Sequence, residues 1–98
     1  MNSWHNESTD RLCEALLALK TKEECYAFLD DICTIKEALD ISQRLAVAKM
    51  LKTGVSYNKI TKETGASAAT ISRVSKCCEY GSGGYDIVIN RLSGEKND

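Results

Sequence analysis

The stretch YNKITKETGASAATISRVS, Tyr57 to Ser75, leaves this chain little freedom in how it folds. It reads as two short helices hinged at a glycine. Ile60 is the only large apolar residue of the first helix, and Ile71 and Val74 are the apolar residues of the second. These three bracket Gly65 and Ala66. A tight corner between helices needs one residue at positive φ, which glycine supplies without a Cβ clash. Ser67, two residues on, offers an N-cap oxygen to the next helix. Helix, glycine turn and capped helix with converging apolar residues form the helix-turn-helix pattern of DNA-binding proteins. Two residues depart from it. Thr61 stands where a small apolar residue is usual, and Thr64 where an apolar one is typical.

At about 100° per residue, the second helix turns Ile71, Val74, Cys78 and Ser75 inward. Ala69, Ser72, Arg73 and Lys76 fall on the opposite side, with Thr70 at the flank. Small residues near the helix start let the backbone approach base edges, methyls pack on thymine and hydroxyls bond donors or acceptors. Arg73 and Lys76 suit phosphate or guanine. The expected DNA-binding set is Ser56, Tyr57, Asn58 and Lys59 at the start of the first helix, with Ser67, Ala68, Ala69, Thr70, Ser72, Arg73 and Lys76 on the second. The plainer alternative is an ordinary helical corner with a solvated face.

A net charge of −1 over 98 residues looks wrong for a nucleic-acid partner, but its distribution does not. Residues 1–40 carry four basic and nine acidic side chains, hence −5. Residues 41–78 carry seven basic and one acidic, hence +6, and residues 79–98 carry two and four, hence −2. Positive charge gathers on and just before the helix-turn-helix, where phosphates would lie.

Other classes find no support. The N-terminus MNSWHNESTD has neither a basic start nor an apolar run, so no signal peptide is expected. No apolar stretch approaches membrane-spanning length. Cys13, Cys25, Cys33, Cys77 and Cys78 are an odd number without a CxxC pair, so reduced thiols in the cytoplasm are expected, with no metal and no disulfide framework. A thiol switch at Cys77-Cys78 is weak, because adjacent helix positions point about 100° apart. His5 stands alone, and no nucleophile–base pair is present, so no enzyme is expected. The loop GSGG after Tyr80 lacks the strand and the Lys-Ser/Thr of a phosphate loop, and reads as a turn.

Elsewhere the chain reads as helices. Residues 9–19 repeat leucines at Leu12, Leu16 and Leu19. Thr21-Lys22-Glu23-Glu24 and Thr34-Ile35-Lys36-Glu37 are capping boxes. The first opens a helix with Cys25, Phe28, Leu29 and Ile32 on one stripe. The second opens a longer one reaching about Thr53, with Ala38, Ile41, Leu45, Ala48 and Leu51 along one side and Val47 and Met50 off it. Gly54 stops that helix and Ser56 caps the next. Tyr85, Val88, Ile89 and Leu92 are at helical spacing, although YDIVI alone could be a strand. The expected fold is therefore one all-α domain over 1–98: helices over 9–53, a helix-turn-helix over 56–79 and a last helix over 84–93. Helices 1, 2 and 6 and the off-stripe side of helix 3 carry more apolar surface than so small a core can bury, which predicts a homodimer.

In this order and spacing the chain resembles the Trp repressor superfamily, and its YerC/YecD-type branch in particular. The residues that carry the resemblance are EAL at Glu37–Leu39, AATISR at Ala68–Arg73 and the ending GSGGYDIVINRL. It implies an intertwined all-helical homodimer that binds operator duplex DNA, with 9–53 and 84–93 as dimerisation helices. It also implies a corepressor pocket, which maps here to Thr34, Arg44, Thr70, Arg73 and Val74; the arginine from the long helix falls on Gln43 rather than Arg44 if no gap is placed near Gly54. The family's glycine after the recognition-helix arginine is Val74, which fills the room that the glycine leaves beside the ligand. That argues against L-tryptophan and leaves a different effector, or none, open. A non-enzymatic module for binding other proteins is the competing reading, and the basic segment 41–78 speaks against it.

Overall fold

The computed structural model describes residues 3–94 and contains six helices: α1 Glu7–Ala18, α2 Lys22–Ile32, α3 Ile35–Lys52, α4 Tyr57–Thr64, α5 Ala68–Tyr80 and α6 Gly84–Gly94. No strand occurs among the described residues, and YDIVI is helical. None of these helices is long and apolar enough to cross a membrane. The chain divides into two compact units, Met1–Ala38 and Leu39–Asp98, with the boundary inside α3.

Side-chain caps set most of the helix starts. The Asn6 carboxamide oxygen accepts from the Thr9 amide at 2.9 Å and the Thr9 hydroxyl oxygen accepts from the Asn6 amide at 2.8 Å. This reciprocal pair starts α1 earlier than residue 9, where the apolar repeat alone would begin it. At α3 the expected box forms in full: Thr34 accepts from the Glu37 amide at 3.1 Å and Glu37 from the Thr34 amide at 2.8 Å. At α2 only half of it forms. Thr21 accepts from the Glu24 amide at 3.1 Å, but the Glu24 carboxylate reaches past it to the Lys20 amide at 2.8 Å. The long carboxylate satisfies a free amide one residue further out. α3 ends at Gly54, φ 81°, where the Gly54 amide donates to Leu51 and the Val55 amide to Met50, each at 3.1 Å. That double bond pattern closes a helix through a left-handed residue.

In the second unit Val47, Ala48, Ile60, Ala66, Ile71, Val74 and Ile89 are buried together. Leu51, Leu45, Met50 and Tyr85 pack partly against them. Of the expected α3 stripe, Ala48 is buried and Leu45 and Leu51 pack against the core. Val47, placed off the stripe, is fully buried, whereas Ile41, placed on it, is 49% exposed. The inward arc is set by where Ile60, Ile71, Val74 and Ile89 converge, which is on the last turns of α3. Each aliphatic side chain buried there contributes about 1.5–3 kcal/mol. The Lys52 ammonium pairs with Asp86 at 2.6 Å, linking the end of α3 to the start of α6.

Among its described residues the first unit has no buried hydrophobic side chain. No residue of α1 or α2 is buried. Leu17 is 84% exposed and Ile35 81%, and Leu12, Leu16, Tyr26 and Ile32 are also open to solvent. Amphipathic helices gain most of their stability by covering the apolar face, and here it lies bare.

Candidate nucleic-acid interface

α4 and α5 meet at a corner that satisfies its own backbone. Ser56 caps α4 by accepting from the Lys59 amide at 3.3 Å. Gly65 takes the left-handed conformation, φ 77°, and its amide donates to Thr61 at 2.9 Å. Thr64 now has a physical account. Its hydroxyl donates to the Ile60 carbonyl at 2.7 Å and accepts from the Ala66 amide at 3.1 Å, two services that an apolar side chain could not supply. Ser67 accepts from the Thr70 amide at 3.2 Å and its hydroxyl lies 3.2 Å from that of Thr70. The Gln43 carboxamide, arriving from α3, donates to the Thr64 carbonyl at 3.0 Å.

The two sides of α5 separate cleanly. Ile71 and Val74 are buried and Cys78 and Ser75 are half-buried, while Ala69, Ser72, Arg73 and Lys76 are exposed and Thr70 lies at the flank. Ser67 and Ala68 are exposed at its start. Thirteen residues make α5 roughly 20 Å long, a length that fits a major groove. Tyr57, Asn58 and Lys59 are exposed on the first turn of α4, beside a shallow depression that Lys59 and Lys62 line. Lys59 approaches Glu63 at 3.9 Å, an exposed pair that a phosphate could displace at little cost. Lys49 is exposed, but Lys52 is tied to Asp86 and is the less available cation.

Burial raises the Cys78 thiol above its ordinary range, helped by Asp86 and Cys77 and opposed by Lys52, so it is a protonated, weak nucleophile at neutral pH. Among the described residues no group of three or more His, Cys, Asp or Glu side chains could hold a metal ion.

The sequence pattern of the family described as Trp repressor protein matches residues 7–93. The chain belongs to the Trp repressor family. Members of that family are DNA-binding regulators and not enzymes. Within it the chain is of the YerC type: the uncharacterized protein YerC of Bacillus subtilis (strain 168) is 52% identical over 83 residues, covering 85% of this chain and 80% of that protein. A TrpR-like protein from Eubacterium eligens superposes with a TM-score of 0.90 at 47% identity, over 94% of this chain and 95% of that one. A candidate Trp repressor from Staphylococcus aureus gives 0.87 at 45%, over 90% and 88%.

The residues that the Trp repressor resemblance assigns to a corepressor stand in different local surroundings. Arg44 lines a concavity of about 650 Å³ with Ile41, Leu45, Cys77, Tyr85 and Val88. Thr70, Arg73 and Val74 are not in its wall. Thr70 is engaged by the Ser67 cap, Arg73 is exposed and Val74 is buried in the core. Thr34 lies in the first unit, capping α3. Burial raises the Tyr85 hydroxyl above its ordinary range, and the positive charge of Arg44 pulls it back in part. Nothing in the sequence pointed to Tyr85 as a neighbour of Arg44 in this wall, since their proximity depends on how α6 returns to α3.

Proposed function

We propose that this chain is a homodimeric transcriptional regulator, acting as a repressor in the cytoplasm, that binds double-stranded DNA sequence-specifically through α4 and α5. One observation carries the reading. α5 buries Ile71 and Val74 and turns Ala69, Ser72, Arg73 and Lys76 outward, behind a glycine corner and within the chain's only strongly basic segment. A duplex-binding protein has a salt signature. The affinity for random duplex should fall steeply with salt as counterions are released, and a duplex selected from a random library should bind more tightly at every salt concentration. Salt-independent binding, or none, would favour the alternative of a module for binding other proteins.

The homodimer is supported by the bare apolar faces of α1 and α2, and by Leu39, Ile41, Val88 and Leu92, all exposed. A second copy would bury them and set two reading helices about a two-fold axis. Sedimentation equilibrium at micromolar concentration should return twice the 10.8 kDa chain mass. A stable folded monomer there would sink the dimer.

L-tryptophan is not the effector in this proposal. Val74 stands where the family has glycine and is buried in the core, so it would fill the room that the glycine leaves beside a ligand. Titrating the protein with L-tryptophan in a calorimeter should give no saturable heat, whereas tight stoichiometric binding would overturn this part. A different small-molecule corepressor is compatible with the concavity beside Arg44.

A further inference from the structure

The last carbonyls of a helix have no partner within the helix, and at a corner between two helices they must find one elsewhere. Thr64 is the last residue of α4, and its carbonyl accepts from Gln43 Nε2 at 3.0 Å, across 21 residues of chain. Both residues are partly buried, so water is a poor substitute for this bond. It ties the corner to another helix, whereas the bonds made by the Thr64 and Ser67 hydroxyls are all local. Gly65 follows directly, and a Cβ built on it would lie 4.0 Å from the same Gln43 nitrogen. The carboxamide therefore sits against the hinge. Two residues past Gly65 comes the cap of α5, and the exposed start of α5 follows at once.

We propose that Gln43 is a positioning residue for DNA reading: by fastening the Thr64 carbonyl to α3, it fixes the angle at which α5 leaves the corner. This rests on the DNA-binding reading above. α5 is rooted in the core by Ile71 and Val74, further along the helix. A corner released at Thr64 leaves those anchors in place and moves Ala69 and Thr70, at the free start. Bonds to base edges depend on the placement of those residues within a fraction of an ångström, whereas phosphate pairing tolerates more.

The test is Gln43→Met, which removes the donor at nearly constant length and changes no charge. Its affinity for a selected duplex, divided by that for random duplex, should fall roughly tenfold, the scale of one missing bond to a partly buried carbonyl. The salt slope should be unchanged. A role confined to stability would lower the active fraction and weaken both duplexes alike, so an unchanged ratio overturns the inference. If Gln43→Met melts below the assay temperature, Gln43→Lys and Gln43→Glu carry the test. The ammonium can donate to the carbonyl and the carboxylate cannot, so the lysine variant should keep the ratio and the glutamate variant lose it; equal ratios overturn the inference. A wild-type chain that prefers no duplex overturns the functional reading and this inference with it. A discriminating wild type with an equally discriminating Gln43→Met overturns this inference alone.

Discussion

Gly65→Val should lower the stability of the chain by roughly 1–3 kcal/mol and abolish specific DNA binding. The cost is backbone strain and not collision, since φ is 77° while the added Cβ would meet nothing closer than Gln43 Nε2 at 4.0 Å. A β-branched residue held at positive φ either bears that strain or abandons the conformation. If it abandons it, the Gly65 amide leaves the Thr61 carbonyl, and the Ala66 amide leaves the Thr64 hydroxyl. Ser67 then no longer delivers its cap at the place where α5 must start. Gly65→Asn is the informative companion, because asparagine tolerates the left-handed region better than other side chains. It should cost less and keep measurable binding. Urea unfolding midpoints and duplex titrations on the two variants decide the matter. A valine variant with the wild-type midpoint would show that the corner does not require positive φ.

Local chemistry is legible in the sequence, and long-range pairing is not. Ser56, Gly65 and Ser67 can be placed from sequence because a cap or a left-handed turn is decided by residues within three or four positions. The buried trio Ile60, Ile71 and Val74 is equally plain, since two short helices offer few apolar side chains. Thr64 is visible only as a departure from pattern. Its reason, a hydroxyl that serves Ile60 and Ala66 at once, needs the corner to be folded. Periodicity puts Val47 on the wrong face because α3 is apolar on more than one side, and only its neighbours choose which side is buried. Gln43 with Thr64 and Lys52 with Asp86 are 21 and 34 residues apart, and neither pairing leaves a spacing that a sequence could display.

The uncovered leucines of α1 and the shut-in valine of α5 point in opposite directions for regulation. Bare apolar faces in the first unit call for a partner surface, which a second copy would supply on the proposed reading. Val74, by contrast, is buried in the core, and on the proposed reading it would occupy the room that the family's glycine leaves beside a ligand. On the proposed reading, a dimer would hold its two reading helices without L-tryptophan, with the Gly65 corner shaping the start of each.

Thr70→Tyr and Lys76→Ala should damage DNA binding in different ways. Ala69, Thr70 and Ser72 lie at the N-terminal end of α5, where a recognition helix meets base edges, and Arg73 and Lys76 lie further along. Lys76 is exposed and its ammonium carries charge but little shape. Removing it should weaken selected and random duplex about equally and lower the salt slope by roughly one unit. Lys59→Ala at the start of α4 should behave alike. Thr70 is half-buried at the edge of the reading face and its hydroxyl touches Ser67, so a bulky ring there must swing outward into the groove. Each base-edge bond broken by that ring costs about 1–3 kcal/mol against the selected duplex, with little change for random sequence. A fresh selection with the Thr70→Tyr protein should return a different preferred sequence. The measurement is affinity for both duplexes across a salt series, with wild type alongside. If Lys76→Ala altered which duplex is preferred while Thr70→Tyr left it unchanged, α5 would be docked on the wrong face, and the division into reading and holding residues would fail.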